Sequence, residues 1–134
     1  MDTLFLVAII IEAIFGIGFL FIPGLMLSLL SSSTLDAIAT TFARMFGSAA
    51  ISFSILLWFA RKSDKPEFKK GVIYSLFPYY LVSLIIVVIS QLEGLMNAMG
   101  WSVIGIHVIL LAWFGYFLPR KMEQETRTFP RAGA

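Results

Sequence analysis

The sequence predicts an all-α integral membrane protein, a four-helix up-down bundle with both termini cytoplasmic. Three observations lead there. Of the 134 residues, 59% are hydrophobic and 13% charged, where a soluble domain has about 45–50% and about 25%. Four separate apolar runs each reach the roughly 20 residues that a helix needs to cross the hydrocarbon. Nine of the ten Lys and Arg residues fall on one side of the layout those runs define. The runs are continuous, which excludes the alternating segments of about ten residues that build a membrane barrel. The length suits a single transmembrane domain, 1–134.

The first span is expected over 3–22, closed by Pro23-Gly24. The second is expected over 35–60, with Ser33 and Thr34 as cap candidates and Asp36 in the first turn, where it suits the helix dipole. The third is expected over 66–91, with Pro66 and Glu67 in its first turn. The fourth is expected over 98–118, stopped by Pro119 and followed by a polar tail, 119–134, poorly ordered at its end. Between the first two spans, Leu25 to Leu30 suits a half-turn or short helix at the interface. The connections are short, which makes sequential spans antiparallel neighbours. Met1-Asp2-Thr3 lacks the positive charge of a signal peptide, so the first span is expected to be retained.

Charge sets the orientation. Arg61, Lys62, Lys65, Lys69 and Lys70 join the second and third spans, and Arg120, Lys121, Arg127 and Arg131 lie in the tail. The link between the third and fourth spans carries Glu93 and no basic residue. The excess of Lys and Arg marks the cytoplasmic side, here of the plasma membrane. Trp101 stands near one end of the fourth span and Trp113 and Tyr116 near the other, as interfacial anchors do. The basic loop suits anionic lipid head groups, through Arg61, Lys62, Lys65, Lys69 and Lys70. The plainer account is that these charges only set topology.

There are no cysteines, which removes disulfides, thiolate metal sites and cysteine catalysis. A single histidine, His107, excludes a two-histidine haem site within one chain. No phosphate-binding glycine loop and no nucleophile with a base partner are present, and nothing suggests nucleic acid. No catalytic residue, metal or particular cofactor is indicated, and the chain leans away from enzymes.

Polar residues inside the spans are the candidates for function. Glu12 sits at the centre of the first span, where a charge costs about 3 kcal/mol on insertion scales. Ala8, Glu12 and Gly16 share a face at i, i+4 spacing, whereas Ile10, Ile14, Ile17 and Phe21 cover another. Glu12 should therefore face the bundle or a partner chain. Arg44, in the second span, must pair or reach the interface, since it stays charged. It lies about 10 Å from the level of Glu12 at 1.5 Å per residue. His107, Tyr79 and Tyr80 fall near the level of Glu12. Pro78 beside them frees the Tyr74 carbonyl. Ser75, Tyr79 and Ser83 form one stripe, and Arg44, Ser48 and Ser52 another. All four spans are thus expected to send a polar group to one layer, built from Glu12, Arg44, Ser48, Tyr79, Tyr80 and His107. The alternative for each is structural: interhelical hydrogen bonding by Ser and Tyr, a carbonyl partner for His107, and a neutral or Arg44-paired Glu12. Small residues at Ala39, Ala43, Gly47, Ala50 and Ser54, and at Ala98, Gly105 and Ala112, suit close helix packing, mostly within the bundle.

Phe21-Ile22-Pro23-Gly24 followed by Ala43-Arg44-Met45-Phe46-Gly47 resembles the F-x-P and R-x-x-G pattern of small four-helix membrane proteins of the DoxX-like group. The resemblance covers the four-helix layout and these two motifs. Ser48 stands where such proteins often have a second glycine. The resemblance implies that Arg44 and Gly47 hold the second span against the first at the Pro23 corner. It implies no common reaction.

Three functions follow from these residues. The first is a non-catalytic accessory subunit or scaffold, partnered by the bilayer and by other membrane chains or copies of itself. The second is an oligomeric small transporter or channel using a Glu12, Arg44 and His107 layer. The third is a membrane pocket protein or enzyme that binds a lipid or other apolar ligand.

Overall fold

A computed structural model describes residues 1–32 and 36–118. Among these residues the chain forms five helices: α1 (Asp2–Phe21), α2 (Pro23–Leu30), α3 (Ala37–Lys62), α4 (Pro66–Leu92) and α5 (Gly100–Phe117). Four of them, α1, α3, α4 and α5, are long and apolar enough to cross a membrane. The four long apolar runs in the sequence therefore correspond to helices.

Local chemistry sets the ends. Pro23 opens α2 at its first turn, where a missing N–H costs nothing, so the chain turns at Ile22 and starts a new helix. The linker expected to hold at most a short helix thus holds two turns. Asp36 is the N-cap of α3: its Oδ1 accepts from the Ala39 N–H at 2.7 Å. The helix accordingly begins two residues later than expected, and the proposed caps Ser33 and Thr34 lie outside the described residues. Pro66 and Glu67 occupy the first turn of α4, with Lys65 as N-cap. Gly94, at φ 73°, follows the end of α4, a backbone conformation suited to glycine. The last helix starts at Gly100, not Ala98, because Asn97 accepts from the Met99 N–H through its Oδ1 at 2.8 Å and forms a turn first. The basic tail residues Arg120, Lys121, Arg127 and Arg131 lie outside the described residues.

The helices pack most closely as two pairs, α1 with α3 and α4 with α5. The first pair meets through glycine. A Cβ on Gly47 would stand 2.5 Å from the Leu20 amide nitrogen and 2.8 Å from the Gly16 carbonyl oxygen. Only a hydrogen fits there, so the backbones approach as small residues allow in membrane helices. Ala43 and Ala50 continue that buried stripe, and Ser54 Oγ donates to the Ile9 carbonyl at 3.3 Å. On α1, Ala8, Glu12 and Gly16 are buried while Ile10, Ile14, Ile17 and Phe21 face outward, as the spacing predicts. The small residues in and just before α5 behave differently. Ala98 and Ala112 are exposed, and nothing lies within 4 Å of a Cβ built on Gly105. That stripe is not core, because α5 packs instead through Leu110 and Phe114.

The two pairs meet over one half of their length. Leu4, Phe5, Leu57, Ile73, Leu76 and Phe114 belong to a single buried cluster. All of them lie toward the end that carries the α3–α4 connection. Lys69 Nζ donates to Asp2 Oδ1 at 2.8 Å across the same end. Tyr80, the largest fully buried side chain, closes the cluster. Beyond Tyr80 the pairs part.

Candidate functional site

A cavity of about 340 Å³ fills the space between the parted helices. Its floor is Glu12 and Tyr80, and its walls are mostly aliphatic and aromatic. Phe15 and Phe19 come from α1, Phe46 from α3, Ile86 and Val87 from α4, and Val103 and Ile106 from α5. Leu30 and Met96 stand at the opposite end from the core.

Glu12 is 5% exposed and is the buried charged residue of the core. Tyr80 O–H donates to its Oε1 at 2.7 Å. Both groups are where helical spacing puts them. Glu12 lies one turn along from Ala8 on the inward face of α1, and Tyr80 one turn along from Leu76 on that of α4. A carboxyl group out of water needs such a donor, because its unpaired burial costs several kcal/mol, on the order of 2–7 for a polar group.

Further polar groups surround this pair. The Tyr79 and Tyr80 rings stand 5.2 Å apart, centroid to centroid, and the Tyr80 and His107 rings 6.3 Å apart. His107 Nδ1 lies 2.9 Å from the Val103 carbonyl oxygen. A carbonyl only accepts, so Nδ1 carries the proton of this bond. Tyr79, Ser83 and His107 all line the cavity beside Glu12 and Tyr80. Pro78 lies inside α4 just before the two tyrosines.

The far end is closed by backbone. Ser31 and Met96 form an antiparallel bridge. Ser32 N–H donates to the Leu95 carbonyl at 3.1 Å, and Asn97 N–H to the Leu30 carbonyl at 2.8 Å. The Asn97 side-chain amide adds a bond to the Leu29 carbonyl at 2.9 Å. The end of α2 and the α4–α5 connection are thereby tied together over the cavity.

Four of the six residues expected in a polar layer meet here: Glu12, Tyr79, Tyr80 and His107. Arg44 and Ser48 do not. Both are exposed, Ser48 Oγ donates to the Met45 carbonyl at 2.8 Å, and α3 contributes only the apolar Phe46 to the lining. The cause is angular. The inward stripe of α3 is Ala43, Gly47 and Ala50, and Arg44 and Ser48 are each one residue past it, about 100° around the helix at 3.6 residues per turn. Among the described residues Arg44 forms no ion pair with Glu12. At the Pro23 corner the tight contact to α1 is made by Gly47.

The basic residues at and around the α3–α4 connection cluster at the other end from the cavity. Arg61 and Lys62 form the last turn of α3, and Lys62 Nζ lies 5.3 Å from the Trp58 ring centroid. Lys65 is exposed, Lys70 is half-buried, and Lys69 is engaged with Asp2. Lys69 is therefore less available to a lipid head group than its neighbours.

The closure at Ser31, Met96 and Asn97 was not anticipated from the sequence, and neither were the cavity walls at Phe15, Phe19 and Phe46. Asn97 was the available signal, as an amide in a short connection between apolar spans. Among the described residues no group of three or more His, Cys, Asp or Glu side chains is placed to hold a metal ion.

No curated protein and no solved structure matches the chain. A family model does, over residues 6–128, which takes in every element of the cavity, and the chain belongs to that family, described as Domain of unknown function (DUF8292).

Proposed function

We propose that the chain is a non-catalytic, multi-pass membrane protein that holds a small, largely apolar ligand between its two helix pairs. The observation that carries this reading is the cavity floored by the Glu12–Tyr80 hydrogen bond. Its volume of about 340 Å³ falls at the lower end of ligand sites, about 300–1,000 Å³, and its make-up of apolar walls with a few convergent polar groups is theirs as well. An intramembrane carboxyl group is a functional candidate by default.

The cavity fits this reading better than a transport layer that includes Arg44, since Arg44 lies outside it. Packing against a further membrane chain is a second reading, favoured by the outward small residues Gly105 and Ala112 of α5 and Ala98 just before it. It is compatible with ligand binding within a larger complex.

The helices are taken to alternate up and down, with both termini cytoplasmic in the plasma membrane. Contact order supports the alternation. Ile9 meets Ser54 while Gly16 meets Gly47, and Tyr74 meets Leu118 while Tyr80 meets His107. The basic α3–α4 connection supports the orientation. The cavity then occupies the outer half of the membrane. A distant kinship with the DoxX-like group, sharing the Pro23 corner and Gly47, belongs to the same proposal.

Native mass spectrometry of gently extracted protein tests the binding reading. A small molecule held one per chain, and lost when Val103→Trp fills the cavity, is the expected result. A wild-type chain that carries only the same bulk lipids as the filled variant would count against it.

A further inference from the structure

We propose that the ligand is a lipophilic monocation of the ammonium type, with its charge at Glu12 and its apolar body along the aromatic walls. This rests on the cavity being a binding site and adds the charge of what it takes. Three observations on the lining lead to it.

First, among the described residues the lining contains one acid and no Lys or Arg. Glu12 is its carboxyl group, and the nearest candidate counter-charge in sequence terms, Arg44, is exposed on α3. A carboxylate in the hydrocarbon is stabilised by an opposite charge brought to it, and a single positive charge matches a single acid.

Second, the side-chain donors of Tyr80 and His107 Nδ1 are already committed. Tyr80 O–H is already given to Glu12, and the proton on His107 Nδ1 to Val103. The Glu12 carboxyl group can accept further, and the Tyr79 and Ser83 hydroxyl oxygens can accept as well as donate. An ammonium group, which only donates, complements such a set. An anionic head would bring a second negative group against the Glu12 carboxyl group.

Third, part of the remaining wall is aromatic. Phe15, Phe19, Phe46 and Tyr79 line the same cavity, and their ring faces attract cations, an attraction that grows when the cation is desolvated. A neutral apolar molecule would gain the packing without the charge contacts.

Three probes with one phenylbutyl body separate these effects: phenylbutylammonium, phenylbutanol and phenylbutyrate. Each is titrated calorimetrically into the full chain in nanodiscs of phosphatidylcholine, a lipid without net charge, with empty nanodiscs subtracted. The amine is expected to saturate at one per chain and to bind at least about tenfold more tightly than the alcohol, with no saturable binding of the carboxylate. In Glu12→Gln the amine should lose about tenfold or more while the alcohol changes by less than about twofold. Alcohol and amine binding alike in the wild type would overturn the cation proposal and leave the cavity a binding site. No saturable binding of either would overturn both. If Glu12→Gln fails to fold, which circular dichroism reports, the ranking of the three probes on the wild type decides alone.

Discussion

Tyr80 gives its hydroxyl hydrogen to a carboxyl group in the middle of a helix long and apolar enough to cross a membrane, and that bond lies at the boundary between packed core and cavity. Removing the donor by Tyr80→Phe leaves the carboxyl without this partner. The expected cost is about 1 kcal/mol, within the range for interhelical side-chain hydrogen bonds in membranes. Glu12→Gln keeps an acceptor for Tyr80 and should cost less. Both are read as shifts in unfolding in mixed micelles followed by circular dichroism. A Tyr80→Phe variant as stable as the wild type would show that the bond contributes nothing. At this scale the sequence was informative where a residue type is rare in hydrocarbon: Glu12, Tyr80 and His107 stand out, and helical spacing gave the inward face of Glu12 correctly. It failed for Arg44 and Ser48, which do not face the direction of the other polar groups. One residue along α3 turns a side chain by about 100°, so a polar residue next to the inward stripe of small residues points away from the cavity.

Helix packing depends on where glycine is needed. Gly47 faces backbone on α1, with the Leu20 nitrogen 2.5 Å from where its Cβ would be. Backbone cannot move aside as a side-chain tip can, so Gly47→Ala should destabilise by about 1–3 kcal/mol, as overpacking does. Gly105→Ala, with nothing within 4 Å of the new methyl group, should be neutral or raise stability by up to about 1 kcal/mol, the helix preference of alanine over glycine. Equal effects of the two substitutions, measured by the same unfolding assay, would contradict the packing described. The connection over the cavity makes a separate prediction. Asn97→Ala removes the bond to the Leu29 carbonyl and the turn bond to Met99. Hydrogen exchange at the Ser32 amide, which donates to the Leu95 carbonyl, should then quicken, while exchange in the α1–α3 crossing stays unchanged. The long helices were legible because length and apolar content identify a span without reference to tertiary structure. The closure was not, because it is a pairing of two short segments distant in sequence, Ser31 with Met96, and no local pattern encodes that.

On the scale of the whole molecule, the helices form a packed half and an open half. Bulky side chains such as Phe5, Leu57, Leu76 and Phe114 fill the first, whereas the second is spanned by walls that do not meet. Four-helix layout was readable from hydropathy, but the division into halves depends on which side chains face each other across two helix pairs. The proposed orientation puts the basic α3–α4 connection in the cytoplasm and the closed end of the cavity outside. The chain has no cysteine, so single substitutions report sidedness cleanly. Ser63→Cys should react with a membrane-impermeant maleimide only after cells are opened, and Glu93→Cys in intact cells; the reverse pattern would invert the topology.

The central claim is that the open half takes up a ligand. Calorimetric titration of phenylbutanol into wild-type protein and into Val103→Trp, both in phosphatidylcholine nanodiscs, tests it most directly. The account predicts saturable binding of one molecule per wild-type chain and none in the filled variant. Identical, non-saturating uptake by the two proteins would mean that the probe only dissolves in lipid, and would contradict it.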